Sequence, residues 1–299
     1  MLHWSIMFGK RPDGKKIKLK NAVARMTPMF LGRRTESINY FLFQHPCEKL
    51  DEYIVQKNIE GANYSYRDII IACLVRIFAT RPKFNRFFIK DTLYQRNHID
   101  VSMMVHKDLR KGDDEVIVKI RFTGLETIAE VKEKIDTEIQ KAIKTEQTDK
   151  SFNWMPQPLL KFIVRWLRFW DRFGLLTDRF LKKQSPFHTS IFYSDLKSIR
   201  LNYAFHHLFN FGNCGFFCTL GKEHLRPIVD EETHKIEAKK IFELGISVDD
   251  RVVDGLYYSH MIKGVHRITA DLTQLEQPLH EDEIHIPRDI KVKKMKKVK

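Results

Sequence analysis

The sequence is poor in cysteine, and its cysteines do not form a metal-binding pattern. The chain of 299 residues has four of them, Cys47, Cys73, Cys214 and Cys218. Cys214 and Cys218 lie close together but have no companion pair, so a tetrahedral zinc site is not predicted and no metal is expected. All four stand among apolar residues, which is typical of buried, reduced thiols in a cytosolic protein.

Long apolar runs and linker-like segments are also lacking. No run of about 18 uncharged residues exists, so a membrane-spanning helix is not predicted. The apolar start, residues 1–9, is followed by KRPDGKK, the reverse of the order in a signal peptide. The sequence has no Pro/Ala-rich stretch of the kind that links one globular domain to another. A cytoplasmic protein with a single domain over residues 1–285 is therefore expected.

Acidic residues are too few to balance the basic ones, and the formal net charge is +14. Residues 1–25 carry +6, and residues 288–299 carry another +6. Because the excess lies at the two ends, nucleic-acid binding is not favoured as a function. The basic tail, residues 286–299, is predicted to be disordered and solvated. Attraction of these charges to an anionic membrane is a second interpretation.

Helix and strand patterns alternate along the chain. Residues 65–79 have a helical apolar face with Ser65 as a plausible cap. Two runs rich in β-branched residues, 98–109 and 113–124, predict strands joined by a turn around Gly112. A second helical pattern covers residues 124–144. This order predicts an α/β fold with a mixed central sheet.

An aromatic and basic segment, residues 156–183, interrupts that alternation. Its cations, Lys161, Arg165, Arg168, Arg172 and Arg179, are spaced to form one stripe on a helix. The apolar positions between them are Phe162, Ile163, Trp166, Leu167, Phe169, Trp170 and Phe173. Two hypotheses stay open: a helical pair packed on its own domain or on a neighbouring subunit, or a helix in a membrane interface.

The segment DDRVVDG, from Asp249 to Gly255, resembles the DHRVVDG motif of the acyltransferase cores of 2-oxoacid dehydrogenase complexes. These cores are relatives of chloramphenicol acetyltransferase, and the likeness extends from about residue 20 to residue 275. It implies a two-layer sandwich with a mixed sheet and helices on one face. The matched part has no lipoyl-bearing segment, so a free-standing acyltransferase fold is implied.

The catalytic position of the motif differs from the family. There the histidine of HxxxDG takes the thiol proton of coenzyme A or dihydrolipoamide, and this chain has Asp250 instead. Moving a thiol proton to histidine costs roughly 2.7 kcal/mol, and to aspartate roughly 6.3 kcal/mol. Burial beside Asp249 would recover part of the difference, whereas an inward-pointing Arg251 would oppose it. Other candidate bases are His206 and His207, of which strand geometry would let one face a given channel. His260 and His266 are weaker candidates.

The resemblance assigns further residues to the site. Ser194, in the YSDL segment, takes the place of the hydroxyl that donates to the tetrahedral oxyanion, although a structural serine at a strand end is the alternative. Asp254 and Gly255 take architectural places, with Asp254 paired to an arginine. Arg33 or Arg34 is the expected partner.

Two functional classes follow from this resemblance. One is a coenzyme A-dependent acyltransferase that transfers an acyl group from a small-molecule thioester to an unknown acceptor. The other is a catalytically silent trimer, a pseudoenzyme that binds a ligand, membrane or partner. Coenzyme A or acyl-coenzyme A is the implied substrate. A homotrimer with sites between subunits is also implied.

Overall fold

The structure, a computed structural model, describes residues 11–106, 115–144, 155–229, 233–253 and 255–285. Its strands are β1 Gly14–Lys16, β2 Ile38–Pro46, β3 Arg86–Ile89, β4 Thr92–Arg96, β5 Ile99–His106, β6 Glu115–Phe122, β7 Ile191–Asp195, β8 Phe216–Leu220, β9 His224–Val229 and β10 Ile236–Asp249. Its α-helices are α1 Ala22–Phe30, α2 Glu48–Ile59, α3 Tyr66–Thr80, α4 Ile128–Lys144, α5 Gln157–Arg172 and α6 Gly255–Ala270.

A mixed sheet of seven strands forms the centre of the fold, as expected. The order is β2-β10-β8-β7-β5-β6, and β9 pairs with the projecting half of β10. Strands β5, β7 and β8 are parallel to one another, and the remaining pairs are antiparallel. Because β2 and β10 are neighbours, the first and last strands of this sheet hold distant parts of the chain together.

One face of the sheet carries the main apolar core. Helices α2, α3, α4 and α6 cover it, and α3 is the most deeply buried of them. The predicted start of α3 is confirmed, since the Ser65 N–H and hydroxyl both donate to the Asp68 carboxylate at 2.9 and 2.8 Å. Strand alternation places Phe242, Leu244 and Ile246 of β10 in this core.

The opposite face is covered differently. A second, antiparallel sheet has three strands in the order β1-β4-β3. Its strand β1 comes from the N-terminal segment of the chain. A smaller apolar cluster of Phe192, Leu208, Cys214 and Phe217 lies under an irregular segment, residues 201–209. The strand expected around His206 and His207 is therefore wrong: the segment crosses the face without regular pairing.

The segment 156–183 contains helix α5 and then a π-helical turn at Phe180–Gln184, so the predicted helical insertion is present. Asp171 is the buried residue of α5. None of the helices in the described ranges is both long and apolar enough to cross a bilayer. The turn around Gly112 and the basic tail, 286–299, lie outside the described residues.

The half-buried histidine of β2 makes stability depend on pH. His45 lies against Phe43, Phe242 and His266, and its Nδ1 has no hydrogen-bond partner. Burial lowers the pKa of His45 to about 4, with the His266 and Lys49 charges adding to the effect. The folded imidazole is thus neutral where the unfolded one binds a proton.

We expect the free energy of unfolding to fall as the pH falls from about 6.5 towards 4. His45→Phe removes this titration, so its stability should decline less over the same window. Urea unfolding at several pH values measures the difference. An identical pH slope in the wild type and in His45→Phe would contradict the assignment, whatever the absolute stability of the variant.

Candidate functional site

The end of β10 is organised around the buried carboxylate of Asp249. Arg251 donates to both of its oxygens, from Nε at 2.8 Å and Nη2 at 2.7 Å. The Ser37 hydroxyl donates to Oδ1 at 3.0 Å, and Arg34 Nε lies 3.5 Å from Oδ2. The carboxylate therefore joins the turn after β10 to the segment before β2.

Arg34 is the buried arginine of the predicted pair, whereas Arg33 is exposed and lies 3.7 Å from Glu36. Arg34 Nη1 also donates to the carbonyl oxygens of Phe209 and Gly212 at 2.6 and 3.2 Å. Burial lowers the pKa of Arg34, and the Asp249 charge opposes this shift. The carboxylate partner of Arg34 in the described structure is Asp249; the proposed partner Asp254 lies outside the described residues.

Asp250 differs from its neighbour in exposure. Its side chain is exposed, and its backbone N–H donates to the Ser37 carbonyl oxygen at 2.8 Å. Burial beside Asp249, which would have raised the pKa of the Asp250 carboxyl, is therefore not what the structure has. Arg251 does point inward, but its guanidinium is occupied by Asp249 and by the Leu31 carbonyl oxygen. Gly255 begins α6, and no atom lies within 4 Å of where its Cβ would be.

A cleft of about 620 Å³ lies beside this turn. The end of β3, the segment after α1, the end of α5 and residues 210–212 line it. Its cations are Arg33, Arg34, Lys90, Arg168, Arg172 and Arg251. Arg34 and Arg251 are paired with Asp249, whereas Lys90, Arg168 and Arg172 have no ion pair within the described residues. The cleft is thus strongly cationic.

Ser194 lies near the end of β7 on the face away from the helices. Phe192, two residues earlier, belongs to the smaller apolar cluster, and alternation puts Ser194 on the same side. Ser194 pairs in register with Thr219 of β8, and Thr219 pairs with Gly245 of β10. The serine is half-buried, so it opens onto the face that residues 201–209 cross.

The crossing segment depends on a close approach to β10. A Cβ on Gly245 would lie 2.4 Å from the Ala204 carbonyl oxygen, so no larger residue fits there without a backbone shift. That oxygen instead accepts a hydrogen bond from the Thr219 hydroxyl at 2.6 Å. This contact fixes residues 201–209 against the strand ends near Ser194.

His206 and His207 differ sharply in this segment. The His206 ring stacks on Phe217 with centroids 4.1 Å apart and planes inclined by 9°, whereas His207 is exposed. Burial lowers the pKa of His206, with the neighbouring His207 charge contributing to the same direction. Phe217 pairs with Phe192, so His206 lies over the same face as Ser194.

Ser194 and Asp250 do not meet within one chain. Ser194 is in register with Gly245, four residues before Asp249. Four residues of strand span about 13 Å, and the two strand spacings from β10 to β7 add about 10 Å sideways. A site that uses both residues therefore requires two copies of the chain.

The sequence interpretation missed Asp249 and Ser37, which hold the turn together. The signal was present, because the first residue of DDRVVDG directly follows the largely apolar run IFELGISV at the end of that strand. It also missed the buried partners of α5, since Arg11 is bound to Asp13 and Asp171.

The four cysteines are buried and unpaired, and burial raises the pKa of Cys73 and Cys218 to about 12. No three metal-binding side chains cluster within the described ranges.

No protein-family model matches the sequence, and no curated protein matches it. Solved structures do resemble its fold. The cubic core of the pyruvate dehydrogenase multienzyme complex is 13% identical, with a TM-score of 0.54 over 85% of this chain and 88% of that one. Dihydrolipoamide acetyltransferase from Azotobacter vinelandii is 13% identical, with a TM-score of 0.53 over 87% and 94%. Chloramphenicol acetyltransferase is 10% identical, with a TM-score of 0.52 over 86% and 99%. The chain has the fold of these acyltransferase cores.

The two adjacent aspartates should respond oppositely to substitution. Asp249→Ala leaves Arg34 and Arg251 buried without their carboxylate, which should lower the free energy of unfolding by about 3 to 5 kcal/mol. Asp250→Ala removes an exposed side chain and should change it by less than about 0.5 kcal/mol. Urea unfolding of both variants measures this. Equal losses of stability would refute the central role given to Asp249.

Proposed function

We propose that this protein is a coenzyme A-dependent acyltransferase whose active site forms between subunits of a homotrimer. The observation that carries the proposal is the fold, which it has in common with pyruvate dehydrogenase cores and with chloramphenicol acetyltransferase. The small-molecule substrates would be an acyl thioester and an acceptor. In this proposal residues 1–285 form one domain that acts in the cytoplasm, with the tail outside it.

The chemistry needs a base and an oxyanion donor. The base removes the proton of the acceptor thiol, and the resulting thiolate sulfur attacks the carbonyl carbon of the acyl thioester. The tetrahedral oxyanion then collapses with loss of the coenzyme A thiolate, which takes the proton from the base. In this proposal the Ser194 hydroxyl donates to the oxyanion. A fixed donor in a dry site contributes about 3 to 4 kcal/mol. In the Azotobacter relative, a serine, a histidine and an asparagine have been studied for roles in the catalytic mechanism.

Two side chains compete for the role of base. Asp250 occupies the motif position, but its exposure leaves the thiol-to-carboxylate transfer costly, at roughly 6.3 kcal/mol for reference groups. His206 is half-buried over the face that carries Ser194, and burial lowers its pKa, which favours the neutral imidazole but also makes it a weaker proton acceptor than an exposed histidine. A neutral imidazole is the form that accepts a proton. His206 is therefore the stronger candidate, and exposed His207 is the weaker one.

The surface offers a contact for the further copies that a homotrimer implies. Tyr40, Leu42 and Phe205 are exposed on the sheet face that carries Ser194, and the Tyr40 and Phe205 rings lie 5.3 Å apart. The β9–β10 hairpin extends from the same sheet and exposes Leu225 and Ile236. Exposed apolar residues that cluster on one face favour burial against another subunit.

The alternative is a catalytically silent trimer that binds ligands or partners through the same fold. The exposed carboxylate of Asp250 at the position of the family histidine favours this alternative. The two classes differ in what restores activity. A silent descendant gains transfer only when the histidine is replaced, whereas an enzyme with a different base is already active.

Acyl transfer from acetyl-coenzyme A to a thiol acceptor should be measurable in the wild-type protein. Ser194→Ala should reduce its rate by about a hundredfold or more, because the oxyanion loses its donor. His206→Gln should abolish the base-dependent step, and His207→Gln is the matched control at the adjacent exposed position. Ser259→Ala on α6 controls for the loss of a serine.

Calorimetry of coenzyme A binding accompanies these assays. Activity that appears only in Asp250→His, together with coenzyme A binding by the wild type, would support the silent alternative. No coenzyme A binding by any variant that keeps its thermal stability would overturn both the enzymatic proposal and its implied substrate.

A further inference from the structure

We propose that helices α1 and α5 and the cationic cleft between them form a surface that docks onto an anionic lipid bilayer. This surface is separate from the apolar sheet face assigned above to subunit contact. It goes beyond acyl transfer, because it gives the protein a membrane as a binding partner. Three observations support it: two stripes on α5, a buried anchor that fixes them outward, and an apolar partner helix across the cleft.

Helix α5 presents two parallel stripes to solvent. Phe162, Trp166 and Phe169 recur at helical spacing and are exposed by 65%, 50% and 57%. The cations beside them, Lys161, Arg165, Arg168 and Arg172, recur at spacings of four, three and four residues and are all exposed. Leu160, Ile163, Leu167 and Trp170 form the half-buried inner side. Large aromatic residues beside basic ones are typical of a helix in a bilayer interface.

The outward direction of these stripes is fixed by Asp171. Its carboxylate lies 2.8 Å from Arg11 Nη1 and 3.2 Å from His188 Nε2, and its backbone carbonyl oxygen accepts a second hydrogen bond from Arg11 at 2.7 Å. Asp171 is the single acidic residue of α5, and it is buried. The anchor therefore holds one edge of the helix inward and leaves its outer side without negative charge.

Helix α1 adds a second apolar stripe, and the residues that follow it reach the same cleft. Met29 and Phe30 are exposed by 70% and 74%, and Val23 and Met26 are exposed as well. The helix contains no acidic residue in its sequence AVARMTPMF. Gly32 and Arg33, just beyond it, line the cleft together with Arg168 and Arg172 of α5. Both helices therefore end at one cationic cleft.

The charge of this surface identifies its occupant. Lys90, Arg168 and Arg172 have no ion pair within the described residues, so the surface attracts an anionic partner. A second copy docked on the same surface would bring like charges together. An anionic bilayer offers a partner to both kinds of side chain on this surface. Its phosphate groups attract the cations, and its acyl chains accommodate the exposed aromatic rings.

The test uses the full chain with two kinds of vesicle, phosphatidylcholine alone and phosphatidylcholine mixed with phosphatidylserine. We expect flotation with the mixed vesicles and little with the neutral ones. Each cation removed by Arg165→Gln or Arg168→Gln should weaken binding about fivefold. Trp166 fluorescence should shift to shorter wavelength on binding, and Trp166→Phe should remove most of that shift.

A matched control separates this surface from general stickiness. Arg168→Gln with Phe169→Ser removes one cation and one exposed apolar residue from α5. Lys144→Gln with Ile143→Ser likewise removes one cation and one exposed apolar residue, in this case from α4. Flotation should fall in the α5 variant and persist in the α4 variant.

Four outcomes would overturn the inference. One is the absence of flotation with mixed vesicles at low salt. Another is an equal loss in the α4 control. The third is a change of oligomeric state in the α5 variant, because it would make this surface a subunit contact instead. Binding to duplex DNA without vesicle flotation would likewise reject the lipid partner. None of these results depends on acyl transfer, so the two proposals fail separately.

Discussion

The carboxylate of Asp249 is the constraint on which the geometry of the candidate site depends. It ends the longest strand, and that strand pairs with β2, β8 and β9. A buried carboxylate is stable only when cations and donors satisfy it, and Arg34, Arg251 and Ser37 do so. The same three contacts fix the segment before β2, close the turn after β10 and leave Asp250 outside. The Asp249 carboxylate is therefore part of the fold, and Asp250 is the exposed one of the two adjacent aspartates.

A second buried network does the same for α5. Burial disfavours charge on Asp171, but the His188 hydrogen bond and the charges of His188 and Arg11 outweigh it, so the pKa of Asp171 lies below its usual value. Asp13 binds the other side of Arg11, and Asn213 donates to Asp13 at 2.7 Å. The N-terminal segment thus contributes structure as well as positive charge. The net charge of residues 1–25 includes Arg11 without showing this pairing, because composition cannot distinguish a paired arginine from a free one.

Much of the fold was predictable because local periodicity and one motif point to the same answer. The capped helix at Ser65, the strands β5 and β6 and the mixed sheet all follow from residue spacing, and the motif at Asp249 named the fold. The site was less predictable. Which of Asp249 and Asp250 is buried depends on the contact with Ser37. The irregular path of the segment around His206 depends on the stacking of His206 on Phe217 and on the hydrogen bond from Thr219 to Ala204. A pattern read along the chain cannot contain those contacts, since each joins segments far apart in sequence.

The two unpartnered surfaces differ in charge, and this difference separates their partners. The face around Tyr40, Leu42 and Phe205 is apolar, so burying it against another copy of the chain removes apolar area without bringing charges together. The surface of α1 and α5 also exposes apolar rings, but its cations would have to lose water in any protein contact that lacks acids. At a bilayer interface the same cations stay hydrated beside phosphate while the rings enter the boundary region. Desolvation of charge, more than apolar area, is therefore the reason for proposing subunits as partners of the first surface and lipid as the partner of the second.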